Sequence, residues 1–110
     1  MTYRVQYLKD QNGHYVGCIA IKENLAHKGA KTMVVEYRVS TVNPSDSFDK
    51  DVARQLAIGR LVEAPYTVRV KAGANLYEIS NVIMADITAD STAPSRTRRA
   101  AKNWLRSNSK

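Results

Sequence analysis

Thr32 to Leu61 reads TMVVEYRVSTVNPSDSFDKDVARQLAIGRL, and within it the apolar spacing changes from that of a strand to that of a helix. Thr32 to Val42 is dense in β-branched residues, whose stiff side chains suit the pleated surface of a sheet. Asn43 then offers an acceptor for the free N–H groups of a helix start. Pro44 has its φ preset for the first helical position, and Asp46 would stand in the electropositive first turn. Phe48, Val52, Leu56 and Gly59 follow at spacings of four, four and three. That predicts a helix over Pro44–Leu61 with one stripe lying on a sheet. Gly59 costs about 1 kcal/mol relative to alanine inside a helix, so close helix–sheet contact is the expected reason for it. Pro65 lies just beyond, as after a helix stop.

Working outward, Thr2 to Lys9 alternates, with Tyr3, Val5 and Tyr7 against Arg4, Gln6 and Leu8. This is the pattern of a half-buried strand. Asn12-Gly13 signals a hairpin, because both residues tolerate positive φ. His14 to Lys22 returns as a second strand, with Val16, Cys18 and Ala20 alternating against Tyr15, Ile19 and Ile21. On the other side of the helix, Tyr66 to Lys71 (YTVRVK) predicts a fourth strand. Asn75 to Ile87 fits either a short helix or a buried strand, and its periodicity does not choose. Thr88 to Ser95 is a turn-rich linker. Arg96 to Arg106 predicts a last helix with Ser95 as its cap and Thr97, Ala101, Trp104 and Leu105 as an apolar stripe. The expected class is α+β, an antiparallel sheet of about four strands with one packed helix and a basic C-terminal helix.

At 110 residues the chain is one domain by size. Its charge divides it further. The net charge is +7, yet residues 1–90 hold eleven basic and ten acidic side chains. Residues 91–110 carry Arg96, Arg98, Arg99, Lys102, Arg106 and Lys110 with no acid. The expectation is a core over 1–90 and a basic helix or tail over 91–110 whose partner is polyanionic or acidic. Arg96, Arg98, Arg99, Lys102 and Arg106 would neutralise phosphates, and Trp104 could stack on a base. Lys50, Arg54 and Arg60 make a second basic face on the first helix.

Catalytic chemistry finds little to work with. His14 and His27 belong to no metal-ligand spacing. Cys18 lies inside an alternating strand, as a structural thiol does. Asp46, Asp49 and Asp51 spread round a helix rather than converging, and the helix dipole accounts for them. No glycine-rich phosphate loop or nucleophile elbow is present. The reading is a binding protein rather than an enzyme, with no metal and no cofactor. A single cysteine, no signal-like leader and no apolar run of about 20 residues predict a cytoplasmic protein with no membrane partner. An exposed sheet edge would allow a homodimer without requiring one.

Asn43, Pro44, Asp46, Phe48, Lys50, Ala57, Gly59 and Arg60 form a strand-to-helix pattern, Asn-Pro-x-Asp-x-Phe-x-Lys closing on Ala-x-Gly-Arg. It resembles small, mostly uncharacterised proteins of tailed bacteriophages, as does the strand Val16-Gly17-Cys18-Ile19-Ala20. Ala53 departs from that pattern, which has glycine there. The resemblance implies a fold, a phage-like origin and a host-cytoplasmic setting, with no activity attached. Two functions are therefore expected in competition. One is an accessory protein that associates with nucleic acid through its basic tail. The other is a phage inhibitor that binds and blocks a host protein.

Overall fold

The computed structural model describes residues 3–24, 27–41 and 47–108. A four-stranded antiparallel sheet in the order β1-β2-β3-β4 forms the middle layer. Its strands are β1 (Arg4–Lys9), β2 (Tyr15–Glu23), β3 (Thr32–Thr41) and β4 (Tyr66–Lys71). Helix α1 (Lys50–Glu63) covers one face, against β2 and β3. Helices α2 (Leu76–Ala89) and α3 (Ser95–Asn108) pack on each other and cover the opposite face. This is the α+β arrangement expected.

Alternation along β2 sorts its side chains between the two faces. Ile19 and Ile21 join the main core with Val35, Tyr37, Ile79, Ile83 and Met84, under α2 and α3. Cys18 and Ala20 join a smaller core with Ala53, Ala57 and Leu61, under α1. Val16 breaks the expected parity by entering the main core. The pairing with β1 slips between Leu8 and Lys9, so Val16 is the extra residue of a bulge. Gly17 beside it is required by contact. A Cβ there would stand 2.6 Å from the Ser40 carbonyl oxygen.

Helix α1 differs from expectation at its start and in its inward face. It begins at Lys50, and Asp49 is its cap, accepting from the amides of Asp51 at 2.9 Å and Val52 at 3.2 Å. The expected caps Asn43, Pro44 and Asp46 lie outside the described residues. Phe48 therefore precedes the helix, and its ring packs on Tyr7 and Tyr15. The buried stripe is Ala53, Ala57 and Leu61, while Val52 and Leu56 face outward at 52% and 51% exposure. The physical reason lies in the sheet. Its surface there is Cys18, Ala20 and Ser40, and Ser40 donates its hydroxyl to the Ala53 carbonyl at 2.6 Å. Short residues on both sides let the backbones approach closely and leave no depth for a Leu–Val stripe. Gly59 is exposed and a Cβ would touch nothing, so close packing on the sheet does not explain it.

Asn75 to Ala89 resolves to helix. Asn75 and Glu78 form a reciprocal capping box, and Lys71 bridges to Glu78 at 2.7 Å. Ile79, Ile83 and Ile87 then recur every fourth residue into the core. Helix α3 starts at Ser95 itself, so Ser95 is not the cap, and the Arg98 amide donates to the Pro94 carbonyl at 3.0 Å. Thr97, Ala100 and Ala101 are buried, with Trp104 and Leu105 packed on the main core. Charge separates residues 91–110 from the rest, but packing does not: α3 is one wall of the core.

Two substitutions in α1 distinguish its faces. Leu61→Ala should cost about 2–5 kcal/mol, as for other buried leucines, while Leu56→Ala should stay within about 0.5 kcal/mol. Urea unfolding reads both, and equal losses would mean the helix is rotated from this packing. Gly17→Ala should be worse tolerated than the exposed Leu56→Ala, because backbone rather than a flexible side chain stands in its way.

Candidate nucleic-acid interface

The turn joining β1 to β2 is built around Asp10. Its carboxylate accepts from the Asn12 amide at 2.9 Å and the His14 amide at 3.0 Å, and the Gly13 amide returns to the Asp10 carbonyl at 3.0 Å. Only Gly13 of the expected Asn12-Gly13 pair takes positive φ, at 83°. The result is a loop over residues 10–14 in place of a tight two-residue turn. The loop stands beside the C-terminal half of α3, and a groove of about 630 Å³ runs between them. Tyr7, Lys9 and Gln11 line it from the hairpin, and Asn103, Trp104 and Arg106 from the helix. A smaller recess of about 160 Å³ shares Asp10, Gln11 and Asn103 and adds Arg96 and Arg99.

On α3 the charges separate by helical angle. Arg99, Lys102 and Arg106 are exposed, and at about 100° per residue they fall within about 60° of one another, opposite Thr97, Ala100 and Ala101. Arg96 turns toward the hairpin, where its charge acts on Asp10. Arg98 turns away, donating Nε to the Ala93 carbonyl at 3.1 Å and acting on Asp90. Trp104 is half-buried, its ring 6.0 Å from that of Tyr77. The predicted set is thus divided. Arg96, Arg99, Trp104 and Arg106 line the groove system, Lys102 extends the outer stripe, and Arg98 is tied to the α2–α3 turn.

The second basic face does not form one surface. Lys50 lies over the rings of Tyr7 at 4.9 Å and Tyr15 at 4.4 Å. Lys9 also lies over Tyr15, at 5.0 Å, so Lys50 belongs with the hairpin. Arg54 is exposed on α1, and Arg60 reaches to β3, donating to the Val39 carbonyl at 2.9 Å. Lys9, Tyr7, Gln11 and Asn103 were not singled out by sequence. Nothing in their own neighbourhoods marks them. Only the approach of the hairpin to a helix some ninety residues later brings them together.

Asp10 is the acid inside this basic region. The His14 amide, then the Asn12 amide and the charges of His14 and Arg96, hold its carboxyl below the usual value of 3.8 against the opposing effect of desolvation. It is consumed by the turn it builds. Elsewhere, burial pushes the Cys18 thiol up to about 11, so it is a poor nucleophile at neutral pH. His14 and His27 are exposed. Among the described residues no three His, Cys, Asp or Glu side chains group as metal ligands, and no helix is long and apolar enough to cross a membrane.

No protein family, curated protein or solved structure matches the chain.

The acids set a pH dependence. Glu78 is lowered by its hydrogen bond from Lys71 and then by the Asn75 amide, and Asp90 by the hydroxyl and amide of Thr92. Asp10, Glu78 and Asp90 have lowered folded-state values, so their contributions are complete above the ordinary values of 3.8 and 4.5 and vanish as pH falls through the lowered ones. The melting temperature should therefore decline as pH drops below about 4.5, and Asp10→Asn should remove part of that decline. A thiol reagent at neutral pH should label Cys18 only after denaturant is added; rapid native labelling would contradict its burial.

Proposed function

We propose that this is a small accessory binding protein, without catalytic activity, that associates with nucleic acid along the groove between the β1–β2 hairpin and α3 and works in the cytoplasm. The observation that carries this reading is the meeting of Lys9 and Arg106 on a groove that also holds Tyr7 and Trp104, with Arg99 at the recess that adjoins it. Phosphates would meet the outer stripe of Arg99, Lys102 and Arg106, with Lys9 across the groove and Lys50 nearby over the Tyr7 and Tyr15 rings. Each neutralised phosphate releases counterions, so affinity should fall steeply with salt. Four or five contacts give a log–log slope of roughly −4 on duplex DNA. Gln11 and Asn103 supply amide groups able to hydrogen-bond base edges, and Tyr7 and Trp104 supply faces for stacking.

Because Ala100 and Ala101 are core residues, reversing charges tests the reading more cleanly than removing the helix. Arg99→Glu, Lys102→Glu and Arg106→Glu together should reduce the slope by about three and weaken all sequences alike, since phosphate contacts carry no base information. Arg54→Glu serves as the control. Trp104 is the only tryptophan, so its fluorescence reports occupancy of the groove directly. Unchanged binding by the triple variant would remove the groove from the function.

A second reading is supported by a different surface. Val52, Leu56 and Val62 stand 52%, 51% and 65% exposed on α1, which suits a protein-binding face and hence an inhibitor of a host protein in a phage setting. A host protein retained through nuclease treatment, and released by Leu56→Asp, would favour this reading over the first.

A further inference from the structure

At the other edge of the sheet, the β3–β4 ladder ends with Tyr37 opposite Tyr66. Strand β3 continues to Thr41 with β2 on one side and, among the described residues, no strand on the other. Arg60 donates to the Val39 carbonyl from that open side at 2.9 Å. The N–H and C=O of a strand residue point the same way and alternate along the chain, so Val39 and Thr41 both present their amides there. The space left is a cavity of about 310 Å³, at the small end of the roughly 300–1,000 Å³ typical of small-molecule sites.

Its lining carries both signs of charge. Arg38 lies 4.4 Å from the centre of the Tyr66 ring and donates to the Ala64 carbonyl at 2.5 Å. Arg60 completes that side. Asp90 lines the same cavity, its carboxylate held by the Thr92 amide at 2.9 Å and hydroxyl at 2.6 Å. Arg98 also acts on Asp90, but its Nε is already given to the Ala93 carbonyl. The floor is Tyr37 and Ile87, with the Thr41 and Thr97 hydroxyls paired at 2.5 Å. A multiply charged oxyanion would be repelled by Asp90, and a bare cation by Arg38 and Arg60. A ligand with both charges satisfies all three.

We propose that this strand-wide slot binds a small zwitterion of the α-amino acid class. The carboxylate is held by Arg38, Arg60 and the open edge of β3, and the ammonium by Asp90. The site is separate from the groove beside the hairpin and does not depend on nucleic-acid binding.

The test is an amide-resolved NMR titration of the full chain with glycine, L-alanine, L-serine and L-valine in turn, beside acetate, methylammonium and inorganic phosphate. At least one amino acid should move the Val39, Thr41, Thr92 and Ala93 amides to saturation, while the three single-charge or phosphate probes at equal concentration do not. Arg60→Gln and Asp90→Asn should each weaken binding about tenfold or more, as expected for loss of a charge-assisted contact. Arg60 also holds the Val39 carbonyl, so Arg38→Lys replaces it if Arg60→Gln fails to fold. No response to any of the amino acids, an equal response to acetate or phosphate, or full affinity in the folded variants would overturn the proposal.

Discussion

Strand β2 is buried on both faces, and the rest of the fold answers to that condition. Val16 to Ile21 has no solvent-facing side, so the sheet must be covered twice. The two covers differ because the two faces do. Ile19 and Ile21 call for bulky partners and receive the isoleucines of α2 with the alanines of α3. Cys18 and Ala20 leave a shallow surface that admits a helix only at close range, which Ala53 and Ala57 allow. Gly17 permits the neighbouring backbones to meet. Replacing the small face by larger residues would lift α1 away, and the Ser40–Ala53 hydrogen bond would go with it.

Close packing under α1 has an outward consequence. A helix that buries alanines must place its larger apolar residues elsewhere, and Val52, Leu56 and Val62 go to solvent. Helix α3 follows a similar economy, burying Thr97, Ala100 and Ala101 while Arg99, Lys102 and Arg106 face outward. Both helices thus display chemistry that the fold itself does not consume, apolar on one and cationic on the other.

The strands and helix α3 are legible in the sequence: β1 and β2 through alternation, β3 through its density of β-branched residues, and α3 through the Thr97, Ala101, Trp104, Leu105 stripe. The inward face of α1 was not legible. Its Phe48–Val52–Leu56–Gly59 stripe has the greater hydrophobicity, but burial followed the shape of the sheet rather than the size of the side chain. The helix dipole favours an acid at Asp49, but its position is the cap itself. The α2 segment stayed open between helix and strand because its apolar residues satisfy both patterns; the Asn75–Glu78 capping box decides it. Of the candidate interface, the helix half was visible as charge and the hairpin half was not, since Lys9 and Gln11 acquire meaning only through a tertiary contact.

The charge on α3 also has an energetic side. Arg98, Lys102 and Arg106 stand at successive i,i+4 positions, and Arg96, Arg99 and Lys102 at i,i+3. Like charges at these spacings each cost a few tenths of a kcal/mol, and α3 offers no acidic residue to offset them. In isolation such a helix would be marginal on both counts, short and self-repelling. It forms because Thr97, Ala100 and Ala101 dock it on the sheet, so the stability of the core is what holds the cations together. Asp10, on one flank, is occupied by the turn it builds, and Asp90, on the other, acts on Arg98 rather than on the outer stripe. The outer stripe therefore keeps an uncompensated field that falls off over about 10 Å at moderate salt, and a polyanion is the partner that would relieve its repulsion.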